Sequence, residues 1–417
     1  MTSYPHDHEA VNRLSILTAL AFLVTVAYIP GIPGFAYVPR WAVLAIGIPL
    51  LLFFVRAELD RGQVLALTFV GYATLSLTWS PVFVEAIHGW FKLALLAGAF
   101  WAATQVERLD QVYAAFGAGI CVSAAIAILQ FFGMKPVDYV EAALGTPGLF
   151  GNKNFFGEAA TMALIGVVAT RQWVWVPGCL LAAVLTQCRG AWIGLGVAGT
   201  VWLWQRQRVL AVLVIVIMVL GVRLVIGTAV NSAIGERLAI WGDTISGLSI
   251  AGRGVGSYHV TVAEHGERMA QRLTRTQHAH NDLLEAVFEY GIGSIALILL
   301  IAYCLCGPNE PARLVLAGFL GAGLVGFPFH QPATAFLAAV VAGHLCGTRA
   351  RLRRERPDGG VYREVRHALW NLEEDRTVAA AAGGAGVSLE PLPAQPARAR
   401  GAGGEPDLAP GIRDRRD

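Results

Sequence analysis

The sequence predicts an all-α polytopic membrane protein, and three observations predict it. Of the 417 residues, 55% are hydrophobic and only 15% charged. Mean hydropathy is +0.55. The apolar residues fall in long runs separated by short polar connections. A water-soluble fold cannot hide so much apolar surface, so a bilayer must solvate it. The formal net charge of +3 is too small to point to nucleic acid as a partner. Cys121, Cys179, Cys304 and Cys346 lie inside apolar runs and read as small core residues, so no disulfide framework is implied.

About twelve segments come close to the ~20 residues that a bilayer helix needs. They are 14–33, 38–55, 62–79, 85–104, 110–132, 156–170, 172–188, 190–205, 208–227, 283–305, 312–328 and 331–347. The stretch Met1 to Arg13 is polar and contains histidines, unlike a signal peptide, so the first apolar run stays as a helix. With the N-terminus inside, the inner connections carry Arg56, Arg61, Arg108, Arg171, Arg206, Arg208 and Arg313, and the tail begins with Arg349, Arg351, Arg353 and Arg354. The connections at 79–85 and 328–332 carry no Arg or Lys, which places both termini in the cytoplasm. The long connection 228–282 then lies outside despite Arg237, Arg253, Arg268, Arg272 and Arg275, a conflict with the charge rule that a ligand for those arginines would explain.

Three regions follow. Residues 1–347 form the membrane domain, with a periplasmic loop at about 228–282. Residues 348–376 form a cytoplasmic charged segment, in which 361–375 suits one short helix. Residues 377–417, rich in Ala, Gly, Pro and Arg, lack the apolar residues to fold and are expected to be disordered.

The outward-facing connections carry the chemistry. In Thr146-Pro-Gly-Leu-Phe-Gly-Asn-Lys-Asn-Phe-Phe-Gly-Glu158, glycine and asparagine permit a tight turn, after which Asn152, Lys153 and Asn154 offer donors at a helix start. A capped turn explains the same residues. In Leu185-Thr-Gln-Cys-Arg-Gly-Ala-Trp192, Arg189 stands between two apolar runs, where it needs a partner or a ligand, or else snorkels beside Trp192. Glu236-Arg-Leu-Ala-Ile-Trp-Gly-Asp243 reads as an amphipathic helix with Trp241 at headgroup level. Gly252-Arg-Gly-Val-Gly-Ser-Tyr258 lacks the strand and spacing of a dinucleotide loop and reads as a close-approach glycine turn. Arg268, Arg272 and Arg275 recur at helical spacing and suit a solvated face.

The densest signal is Arg275-Thr-Gln-His-Ala-His-Asn-Asp-Leu-Leu-Glu285, with His278, His280, Asn281 and Asp282 just ahead of an apolar helix. Two histidines two residues apart point to different sides of a helix. With no third ligand at a specifying spacing among His259, His265 and Asp282, no metal is expected. A neutral imidazole at a helix start suits a general base, and a capping histidine is the structural alternative. Lys92 and His88, at helical spacing in the outer half of the fourth segment, either extend an anion site or pair with Glu85.

In this order, Gly-Asn-Lys-Asn, Thr-Gln-Cys-Arg-Gly-Ala-Trp, Arg-Leu-Ala-Ile-Trp, Gly-Arg-Gly-Val-Gly-Ser-Tyr, His-Ala-His-Asn-Asp-Leu-Leu-Glu and Phe327-Pro-Phe-His-Gln-Pro332 resemble the O-antigen ligase and polymerase superfamily over residues 15 to 347. The resemblance implies a C-type glycosyltransferase fold of about twelve helices. It implies metal-independent, cofactor-free transfer of a glycan from undecaprenyl diphosphate. By that pattern His280 is the general base and Arg189 and Arg237 hold the diphosphate; His278 is the second catalytic candidate, with Asn281 and Asp282 supporting. Arg253, Lys153 and Lys92 would extend the diphosphate site, with Asn152 and Asn154 supporting it. The chain departs from the pattern at Cys188, where serine is usual, and at Gly291-Ile-Gly-Ser294, where Gly-x-x-Gly is usual. The implied location is a bacterial inner membrane with the site facing the periplasm. The implied acceptor is lipid A–core for a ligase, or a lipid-linked glycan for a polymerase. Transfer to a protein serine uses the same donor. An anion transporter is the alternative from another class.

Overall fold

The computed structural model describes residues 5–32, 34–56, 59–137, 146–216, 233–265 and 277–355. Among them there is no strand. The helices are α1 (Pro5–Val26), α2 (Val38–Leu52), α3 (Arg61–Ser76), α4 (Phe83–Ala103), α5 (Asp110–Phe131), α6 (Lys153–Ala169), α7 (Val176–Thr186), α8 (Arg189–Arg206), α9 (Ala233–Ser246), α10 (Tyr258–His265), α11 (Asp282–Tyr290), α12 (Ser294–Leu305), α13 (Glu310–Gly323) and α14 (Pro332–Glu355). A further helical stretch occupies 208–216.

Five stretches are long and apolar enough to cross a membrane: His8–Val26, Phe83–Ala103, Asp110–Phe131, Asp282–Leu305 and Pro332–Glu355. Apolar side chains face outward both on α2 and within the stretch Asp282–Leu305. Ile46 is 68% exposed, Leu50 53%, Ile295 51% and Leu299 51%. Water would not tolerate so many, and lipid would. The molecule is therefore an all-α protein built for a bilayer.

Small residues set the helix spacing. α14, the most buried of the five long helices, presses on α4 so closely that a Cβ at Gly343 would stand 2.0 Å from the Phe100 carbonyl oxygen. Association in lipid depends on this kind of backbone approach, because lipid supplies little hydrophobic drive between helices. At one end of the bundle, His344 Nδ1 lies 2.8 Å from the Val106 carbonyl oxygen, and Arg351 donates to the carbonyls of Thr104 and Val106. Arg56 pairs with Glu9 and Arg206 with Glu310 at the same end. The helix α14 thus continues past the predicted end of the last segment at 347. No helix breaker intervenes, and the arginines find carbonyls there. Alternating helix direction brings the starts of α2, α4, α6, α8, α11 and α14 to the opposite end.

The predicted segment 283–305 is two helices. A 3-10 turn at Gly291–Gly293 separates α11 from α12. The stretch 250–254 is sewn onto this break. Arg253 and Gly254 donate to the carbonyls of Phe288 and Glu289, groups left orphaned at the end of α11, and Ile292 donates to Ile250. Only glycine permits that approach. Gly252 (φ +73°) and Gly291 (φ +48°) are left-handed or nearly so, and a Cβ at Gly252 would stand 2.3 Å from the Glu289 oxygen. This is the close approach expected of the glycine motif, and its partner is a helix end. The predicted helix at 361–375, the tail 377–417, and Arg268, Arg272 and Arg275 lie outside the described residues.

Gly252→Ala is expected to lower the melting temperature of the detergent-solubilised protein, at a cost of about 1–3 kcal/mol for strain at such a backbone. Gly242→Ala meets nothing within 4 Å on helix α9 and should be neutral or slightly stabilising. Equal effects from the two would contradict the packing described.

Candidate active site

The segment Gln277–Asn281 enters α11 through a conformation that the sequence does not favour. His280 is left-handed, with φ +52°, which costs a non-glycine residue on the order of 1–3 kcal/mol. Three hydrogen bonds hold it there. Asn281 caps α11 by accepting from the Leu284 amide at 3.0 Å. The Trp241 indole N–H, from α9, donates to the Ala279 carbonyl at 2.9 Å. The Ala279 amide donates to Glu285 Oε2 at 2.7 Å. Trp241 therefore braces the histidine segment.

Glu285 gathers the rest. Its Oε1 lies 3.0 Å from His278 Nδ1 and 3.1 Å from His330 Nε2. A carboxylate only accepts, so both ring nitrogens carry protons. The two rings lie tilted against each other with 4.2 Å between centroids, and Phe327 packs on both histidines of the motif, 4.6 Å from His278 and 5.0 Å from His280. Asp282 accepts from the Phe329 amide at 2.9 Å, while its other oxygen lies 3.9 Å from His330 Nε2. His330 and Glu285 are the residues that sequence spacing missed. The phrase Phe327-Pro-Phe-His-Gln-Pro332 contained the signal without its partner.

The atoms of His278, Glu285 and His330 lie within 4.8 Å of one another. Two histidines and a carboxylate are a set that a divalent cation could take up. The third ligand that spacing did not reveal is thus supplied from elsewhere in the chain. The hydrogen bonds above already account for the arrangement without an ion.

His280 lines a cavity of about 880 Å³ together with His278, His330, Asn152, His88 and Lys92. Burial first, then the charge of Arg237, pulls His280 down from its ordinary value to about 4, with Glu285 opposing. His278 is also lowered, by burial and then by His330. The candidate base is therefore neutral and ready to accept a proton.

The diphosphate candidates divide in space. Burial also pulls the Arg237 guanidinium down; Cys188 and Glu158 oppose, and the like charge of Arg189 adds. Arg237 thus stands among Arg189, Glu158 and His280. Neither arginine makes a hydrogen bond or ion pair among the described residues. Glu158 is 3% exposed and one of its oxygens has no hydrogen-bond partner. It was not singled out from sequence, because a lone glutamate in an apolar helix has no spacing to mark it. Arg253 spends its Nε on the Gly247 carbonyl at 2.9 Å and does not line the cavity. Asn152 caps α6 by accepting from the Asn154 amide at 2.8 Å, the structural role weighed for that turn. Lys153 and Asn154 occupy the first turn of α6 and also stay off the cavity wall. Lys92 lies on the wall made by α2 and α4, and Glu85 faces His259 at 4.0 Å instead of pairing with Lys92.

Neither a scan against protein-family models nor a search of curated proteins returns a match to this chain. What the protein does must be read from these residues.

Because the folded histidines titrate below their ordinary value of about 6.5, the unfolded chain takes up their protons first as the pH falls. Their contribution is lost from about pH 6.5 down toward His280's value of about 4. The melting temperature should decline over that window, and His280→Gln should flatten the decline. An identical slope in the variant would mean that His280 titrates normally.

Proposed function

We propose that this protein transfers a glycan from undecaprenyl diphosphate to an acceptor hydroxyl, as an O-antigen ligase does. In this reading about twelve helices span a bacterial inner membrane in a C-type glycosyltransferase arrangement. Both termini are cytoplasmic and the histidine end of the bundle faces the periplasm. The observation that carries it is a neutral histidine on a cavity wall that feels the charge of Arg237, which in turn feels Arg189, neither arginine having an anionic hydrogen-bond partner. Two arginines without an acidic hydrogen-bond partner, Arg237 partly buried and Arg189 exposed, suit a phosphate ligand, and guanidinium suits phosphate oxygens in particular.

The chemistry is a single displacement. The imidazole of His280 takes the proton of the acceptor hydroxyl as that oxygen bonds to C1 of the donor glycan. The bond from C1 to the diphosphate oxygen breaks and its electron pair goes to that oxygen. Undecaprenyl diphosphate leaves with the added charge met by Arg189 and Arg237, which are already in place. The configuration at C1 inverts. The protonated His280, disfavoured beside Arg237, then releases its proton to water or to the leaving group. No cofactor enters, since the diphosphate already activates the sugar, and no metal is required by these steps.

Lipid A–core is the proposed acceptor, on the resemblance of the full His-Ala-His-Asn motif. A polymerase is the second reading. The cavity admits the end of a lipid-linked glycan as readily as a core saccharide, and the donor half would be the same. A transporter is disfavoured because the unpartnered cations gather at one end of the bundle and not midway along broken helices.

Purified protein given undecaprenyl-diphosphate glycan and lipid A–core should place glycan on the core and continue to do so in chelator. His280→Ala should lower the rate by about 10²–10⁴-fold. Arg237→Ala should lower it by about 10²-fold or more, as for loss of a charge-stabilising donor. Longer lipid-linked chains with untouched core would identify the polymerase. Full activity of His280→Ala, or loss of activity on chelation, would contradict the mechanism.

A further inference from the structure

Resting on the transferase reading, we infer that the cavity wall made by α2 and α4 binds an anionic group on the acceptor saccharide, a phosphate or a carboxylate, through Lys92, which Tyr37 and Trp41 hold in place. Both residues line the same cavity as His280. The Lys92 ammonium stands 5.1 Å from the ring centre of Tyr37 and 5.9 Å from that of Trp41, within cation–π range, so it is held in place without being neutralised. It makes no hydrogen bond or ion pair among the described residues. Trp41 is 8% exposed and its indole Nε1 is itself buried, so it offers the cavity and Lys92 a ring face and not a donor.

The neighbouring charges are otherwise engaged. Arg40 donates to the carbonyls of Thr25 and Leu149 and lies 4.0 Å from the centre of the Phe150 ring. Glu85, on the same helix as Lys92, faces His259. A cation without an anionic partner is thus set among aromatic faces that suit the C–H surface of a sugar. That combination selects an anionic saccharide over a bare anion.

Position assigns this anion to the acceptor. Arg189 and Arg237 do not line the cavity, whereas Lys92 does. In a single displacement the incoming oxygen and the leaving diphosphate occupy opposite sides of C1. His280 lies between, on the cavity wall and coupled to Arg237. A cation on the cavity side therefore meets the acceptor, and Lys92 separates from the diphosphate group with which its sequence position associated it.

The test is binding of glucose 6-phosphate, glucuronic acid and glucose to the purified full-length chain in detergent, followed by saturation-transfer NMR. At least one of the two anionic sugars should bind about tenfold or more tightly than glucose, as a charge-assisted contact would give. Lys92→Met should abolish that preference, Lys92→Arg should retain it, and Trp41→Phe should weaken it while keeping the packing. Preference for the phosphate alone would identify a phosphorylated acceptor, and for the uronate alone a uronic acid-containing chain. No preference for charge, or a preference that survives Lys92→Met, would overturn the inference. In transfer assays the inference is also overturned if Lys92→Met raises the donor KM and spares the acceptor KM. Binding needs no turnover, so a protein that binds anionic sugars through Lys92 yet transfers nothing would sink the transferase reading and not this site.

Discussion

One buried carboxylate organises the candidate site. Glu285 is 3% exposed and accepts from His278, from His330 and from the Ala279 amide. It joins the segment before α11 to the turn before α14, elements far apart in sequence. The left-handed His280 follows directly from the residue whose amide Glu285 holds. Removing one of these donors would leave the buried carboxylate short of a hydrogen bond, a loss of about 1–3 kcal/mol. The hydrogen bond from Trp241 and the seam between Gly252 and the end of α11 fix the same segment from the outer side. A histidine strained in this way stays put only because its surroundings over-determine it.

From that arrangement comes a division of labour. The base is neutral because it is buried and stands beside Arg237. The arginines remain cationic without an acidic hydrogen-bond partner, although Glu158 lies near enough to be felt. Under the proposed function, bringing a proton acceptor and an anion-binding pair together costs stability in the empty protein. It favours a reaction in which one side loses a proton while the other gains negative charge. The cavity on the far side of His280, with Lys92 and Trp41, completes the proposal by giving the acceptor its own recognition.

Local chemistry was legible in the sequence, and long-range pairing was not. Apolar runs announced helices, and the cluster at His278, His280 and Asn281 announced the site, because residue types and spacing within a few positions carry that information. Gly252 and Gly254 announced a close approach. Nothing local said that the partner would be the end of α11, or that Gly291 would break the predicted segment there. His330 and Glu285 each had an ordinary appearance, and only the fold makes them neighbours of His278. Trp241 looked like an interfacial anchor because an amphipathic helix explains it without reference to Ala279. Arg253 looked like a phosphate ligand because an arginine flanked by glycines does so in many settings, yet its Nε serves the Gly247 carbonyl. Glu158 and Trp41 gave no signal, since a single polar atom in an apolar helix has no periodicity.

The most direct test is a cryo-electron microscopy structure of the His280→Ala protein with undecaprenyl diphosphate bound. The account predicts the diphosphate between Arg189 and Arg237, with its sugar-bearing oxygen turned toward the space vacated by the imidazole. A diphosphate held at the opposite end of the bundle, or coordinated through a metal at His278, Glu285 and His330, would contradict it.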